Sequence, residues 1–146
     1  MEKNIKNKSF SPAISIGLAG IVLVGVVVFL IFLNISTTKE AAVIINSQTF
    51  EIKGMYGNSF SFKDVTSIEL KDTIPTVGMK TNGAGLGETK KGYFEVDGIG
   101  ECLLFIHINK GPYLYIKAGN RQIIINYKDE EKTKQIYQTM MASWNN

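Results

Sequence analysis

Cysteine and histidine are almost missing from this chain of 146 residues, which has one of each. A single Cys excludes an intramolecular disulfide, and with a single His it also excludes a Cys/His-rich structural zinc site. A basic excess is missing as well. The formal net charge is +3, but Lys3, Lys6 and Lys8 against Glu2 supply most of it, and 13 basic residues face 12 acidic ones beyond Leu33. The globular part therefore lacks the positive field of a nucleic-acid binder, and no nucleic-acid partner is expected. Charge of either sign is absent from Ser9 to Thr38.

That uncharged stretch is apolar. Residues 14–33 read ISIGLAGIVLVGVVVFLIFL, with one Ser and three Gly among otherwise apolar residues. Twenty residues of helix span about 30 Å, the thickness of a bilayer's hydrocarbon core. Ser11 before Pro12 reads as an N-cap followed by proline at the first helical position. A domain of roughly one hundred residues has too little interior to enclose a helix that is apolar all round. The stretch is accordingly expected to be a transmembrane anchor through Ile14, Leu18, Val22, Phe29 and Leu33. A cleaved secretory signal has a shorter apolar region, of about 7–15 residues, so the reading is an uncleaved signal-anchor. No Cys follows the run to take a lipid.

Three Lys precede the run and only Lys39 soon follows it, which by the positive-inside rule places the N-terminus in the cytoplasm and the rest outside the cell membrane. A cytoplasmic domain is the alternative. Ala13/Gly17 and Ser15/Ala19 have the small-xxx-small spacing of helices that approach closely, which would permit a homodimer. The expected organisation is a basic N-terminus at 1–10, a single-pass helix at 11–33, a linker at 34–40 and a domain at 41–146.

Beyond Glu40 the apolar period becomes two, the mark of strands, and no helical pattern intervenes until the end. Strands are expected at 41–46, 49–55, 59–62, 65–70, 92–96, 101–109, 113–118 and 122–127. Gly119-Asn120 suits a two-residue II′ hairpin turn. In the run 101–109, Cys102, Leu104, Ile106 and Ile108 share one face, and Leu103, Phe105 and His107 share the other. One face must be core, and the apolar character of the second calls for a covering element. The final segment supplies one: Asp129 is the expected N-cap, Glu130 and Glu131 favour the helix dipole, and Thr133, Ile136, Tyr137, Met140, Met141 and Trp144 form one stripe. The fold class is mainly β with one C-terminal α-helix, a bent barrel or sandwich of about seven antiparallel strands.

Residues 76–92 (TVGMKTNGAGLGETKKG) invite comparison with phosphate cradles, and fail each template. There is no GxxxxGK[ST], and Gly83, Gly85 and Gly87 run G-x-G-x-G into a strand rather than G-x-G-x-x-G into a helix. The segment reads as a long mobile loop, with lipid-headgroup or small-ligand contact through Lys80, Asn82, Lys90 and Lys91 as the alternative. His107 reads as a half-exposed strand residue, since no nucleophile elbow, Cys-His pair or paired carboxylates accompany it; Asp97 and Glu101 sit near turns. No catalytic residue, metal site or cofactor is expected, and the protein is not expected to be an enzyme.

Asp64-Val65-Thr66-Ser67-Ile68-Glu69-Leu70, Ile74-Pro75, Gly78, Lys80-Thr81-Asn82-Gly83, Gly92-Tyr93-Phe94 and Gly98-Ile99-Gly100 together resemble the bacterial pleckstrin-homology-like family. So do Tyr113-Leu114-Tyr115-Ile116, Ile123-Ile124-Ile125-Asn126 and the closing helix with Thr133 and Tyr137, so that the resemblance covers residues 41–144. It implies a bent seven-stranded barrel capped by a C-terminal helix, behind one or two membrane helices, and a protein-interaction or assembly role. It does not imply phosphoinositide binding, because the 43–53 region that corresponds to the lipid-binding hairpin offers only Lys53. Many relatives carry two membrane helices where this chain has one run. Fifteen Lys to one Arg, with abundant Ile and Asn, fits an AT-rich bacterial genome. The expected function is a membrane-anchored, non-enzymatic module that binds a protein or peptide near the bilayer, with an accessory role for the membrane helix itself as a further reading.

Overall fold

The computed structural model describes residues 12–145, so the basic segment 1–10 and the Ser11 cap lie outside the described residues. The chain divides into two compact units, Met1–Ile35 and Ser36–Asn146. Helix α1 runs over Pro12–Thr38. It continues past Leu33 through most of the expected linker, because Asn34-Ile35-Ser36-Thr37-Thr38 contains neither Gly nor Pro to stop it. Leu18, Val22, Phe29 and Leu33 are all exposed, and the side chain of Ile14 lies outside the described set. Among the described residues no helix is long and apolar enough to cross a membrane.

The second unit holds nine strands: β1 (Val43–Ile45), β2 (Thr49–Ile52), β3 (Ser59–Ser61), β4 (Val65–Lys71), β5 (Val77–Leu86), β6 (Thr89–Val96), β7 (Gly100–Ile106), β8 (Tyr113–Ala118) and β9 (Arg121–Ile125). They form a three-stranded sheet, β1-β2-β3, and a six-stranded sheet ordered β4-β8-β9-β7-β6-β5. Two features depart from an all-antiparallel set of about seven. β9 turns back from β8 through Gly119, whose φ of +59° fits the expected II′ turn, and inserts beside β7. That insertion makes the β7–β9 pair parallel.

The second departure is the segment read as a mobile loop. Residues 77–96 are a β5–β6 hairpin that turns at Gly87-Glu88, with Gly83 opposite Gly92 and Gly85 opposite Lys90. Its glycines serve close approach. A Cβ on Gly92 would stand 2.5 Å from Asn82 O and from Gly83 Cα, and its φ is +105°. A Cβ on Gly83 would stand 2.5 Å from Lys91 O. The ladder slips register at Val77/Lys80 and at Lys80/Asn82, the bulged pattern that bends a strand.

Both faces of the six-stranded sheet are buried, as the two apolar faces of 101–109 require. On one face Leu103, Phe105, Leu114, Ile116, Ile123 and Ile125 pack with Phe50 and Ile52 of the small sheet and with Met140. The last comes from α2 (Glu130–Trp144), capped by Asp129, whose carboxylate accepts from Glu131 N–H at 3.0 Å. On the other face Cys102, Leu104, Ile106, Tyr115 and Ile124 pack together. Ile74 and Val77 cover them, and Tyr115 Oη donates to Thr73 O at 3.1 Å, so the β4–β5 connection crosses this face. The covering task expected of the helix alone is thus shared by three pieces of chain.

Candidate functional site

The four residues singled out as ligand contacts do not converge. Lys80 and Asn82 are exposed on β5, opposite Phe94 and Tyr93 respectively. Lys90 and Lys91 are consecutive on β6 and so point to opposite faces. Lys90 Nζ donates to Asn109 Oδ1 at 3.3 Å. Lys91 is buried, at 4% exposure, and donates to Lys39 O on the face of the small sheet. A strand spaces alternate side chains by about 7 Å, and Lys90 pairs with Gly85, beyond the Lys80/Asn82 register slip, so Lys80 and Lys90 make no common cradle.

What the hairpin does offer is an edge. β5 ends the six-stranded sheet and pairs on one side with β6; its other side meets no strand among the described residues. The opposite end strand, β4, has α2 packed against it, and so has β1 of the small sheet. β5 is also the longest strand, at 10 residues, and its side chains are largely exposed, Met79 at 79% and Leu86 at 50%. An uncapped edge of this length presents a row of unpaired backbone donors and acceptors.

A second concentration of polar groups lies at the start of the domain. Contrary to its reading as half-exposed, His107 is 2% exposed, immediately past β7, on the face that the small sheet covers. Its ring stacks on Tyr127, with centroids 6.2 Å apart. Burial first, then the Lys91 charge, holds the imidazole down to about 4. Glu101, at the opposite end of β7, accepts from Thr81 Oγ1 at 2.8 Å and is nowhere near it. Lys91 is lowered by burial, opposed by the charge of Glu40. Burial also favours the neutral form of Glu40, but Lys132 and the Lys128 N–H more than reverse this, and its carboxyl lies below the ordinary value. A cavity of about 220 Å³ opens here between Lys39, Ala42, Lys53, Met55 and Phe105. Sequence reasoning missed this cluster because its members lie far apart in the chain. The one available signal was a lone His alternating with Leu103 and Phe105 on a core face.

No group of three or more His, Cys, Asp or Glu residues among the described residues is placed to hold a metal ion. A family model described as bacterial PH domain matches residues 41–140. No curated protein and no solved structure matches the chain.

Proposed function

The chain belongs to the bacterial PH domain family, and from that premise we propose that it is a membrane-anchored module binding an extended protein or peptide segment by strand addition to β5. A PH-like domain supports an interaction role in general. The observation that carries the finer reading is the free outer side of β5 over 10 residues, at the edge of a sheet whose other end is covered. Backbone pairing along such an edge supplies affinity, and the alternate side chains supply selectivity. Met79 and Leu86 are the exposed apolar side chains that a partner would cover.

The anchoring part rests on residues 14–33, twenty residues without charge, in a helix that exposes Leu18, Val22, Phe29 and Leu33 at once. A helix apolar on every side is a membrane span or a buried core helix, and here those side chains are exposed. Lys3, Lys6 and Lys8 favour a cytoplasmic N-terminus, with the domain outside the bacterial membrane.

The test places a photo-crosslinking residue at Asn82 of the full chain in cells. The expected result is a discrete adduct that disappears when Met79→Lys and Leu86→Lys blunt the edge, with the circular dichroism of the domain unchanged. Adducts from Gln138 on the exposed side of α2, with none from Asn82, would move the partner to the groove beside the helix and overturn the β5 reading.

A further inference from the structure

Residues 39–42, between α1 and β1, are fastened along their whole length. Lys91 of β6 donates to Lys39 O. Lys132 of α2 donates to Glu40 Oε2 at 2.7 Å, and Lys128 N–H donates to Oε1 at 3.1 Å. Tyr127, just past β9, donates through Oη to Ala41 O at 2.8 Å. Ala41 N–H donates to His107 Nε2 at 3.4 Å. Lys53 N–H donates to Ala42 O at 2.8 Å. Ala41 is left 4% exposed.

One ring decides whether this fastening is self-consistent. Nε2 accepts from Ala41 N–H only without a proton of its own. The main chain that carries the ring is fixed: the His107 backbone N–H donates to Asn126 Oδ1 at 2.8 Å, and the Asn126 amide donates to Ile108 O at 2.7 Å and Lys110 O at 3.0 Å. Nδ1 is buried without a hydrogen-bond partner among the described residues. The charges that bear on the ring come from every side: Lys91 from β6, Glu40 from the segment itself, Lys128 and Lys132 from the approach and first turn of α2. Tyr127 stacks on it. Three cations thus oppose a further positive charge, and the one carboxylate is already paired with Lys132.

We propose that residues 39–42 form a latch that opens when His107 takes up a proton, freeing the segment that leads from α1 into the domain. Protonation sets donor against donor at Nε2 and Ala41 N–H, and adds a cation on a buried ring that already faces the charges of Lys91, Lys128 and Lys132. The closed latch holds the ring down to about 4, below the ordinary imidazole value of 6.5, by burial first and then by the Lys91 charge. The closed form is therefore fully favoured above pH 6.5 and loses ground as pH falls from there to about 4. Each pH unit within that window shifts the balance by up to about tenfold. Four freed residues can span at most about 13 Å, which, on the proposed reading of α1 as an anchor, lets the domain work further from the bilayer.

The test is hydrogen–deuterium exchange of the full chain in detergent micelles, corrected for intrinsic rate, between pH 7 and pH 4.5. It reads the latch whether or not α1 crosses a bilayer, so failure of the anchor and failure of the latch are separate results. The expected result is protection of the 39–45 peptide falling up to about tenfold per pH unit below 6.5, while β7 and β9 keep theirs. His107→Gln, which retains an acceptor but does not titrate, is expected to remove the pH dependence. Tyr127→Phe is expected to lower protection at every pH and keep the slope, and it answers the question if His107→Gln does not fold. Flat protection in the parent chain, or loss of β7 and β9 together with 39–45, overturns the latch.

Discussion

Cys102 is fully buried among Leu104, Tyr115 and Ile124, and its thiol is pushed up to about 11 by burial and by the charges of Glu95 and Glu101. At pH 8 roughly one thiol in a thousand would be ionised at such a value. A water-soluble thiol reagent is thus expected to leave the folded protein unlabelled and to modify one Cys per chain in denaturant. Rapid labelling of the folded chain would contradict the burial. This residue was legible in the sequence, since strict alternation over 101–109 places it on an apolar face. His107 obeys the same alternation, and its face is right as well, but its degree of exposure is not a property of the strand. Burial there comes from Tyr127, Ala41 and the small sheet, whose arrival at that spot no local pattern records.

The hairpin β5–β6 is the element that sequence reasoning assigned least well, and the reason is physical. In a sequence glycine signals backbone freedom, whereas at Gly83 and Gly92 the absence of a side chain lets two backbones approach closely. Both Gly92→Ala and Gly83→Ala are expected to destabilise the domain. Gly92→Ala is the more severe, because it combines contacts of 2.5 Å with main-chain atoms and a φ of +105°. A loss of about 1–3 kcal/mol is expected from overpacking and backbone strain together. Urea midpoints measure it, and a change under about 0.5 kcal/mol, the ordinary surface range, would show that the hairpin is loose. The C-terminal helix was legible almost entirely, from its Asp129 cap to its apolar stripe, because a cap and a 3.6-residue period are local signals. The parallel β7–β9 pair was not, since it depends on where a hairpin returns rather than on either strand's composition.

At the scale of the whole molecule, an exposed apolar helix leads into a β domain whose first residues are clasped by side chains from across the fold. The mainly β class and the single C-terminal helix followed from pattern alone. The uncovered edge and the latch are products of assembly, in which topology leaves β5 at one end of the sheet and gathers Glu40, Lys91, His107, Tyr127 and Lys132 at one spot. The proposal that α1 fixes this interaction module to the membrane is tested most directly by alkaline extraction of membranes. Membranes from cells that produce the full chain are washed at high pH, next to membranes from cells that produce residues 36–146. The full chain is predicted to stay in the membrane pellet and residues 36–146 to appear folded in the soluble fraction. Release of the full chain by the wash would contradict the account.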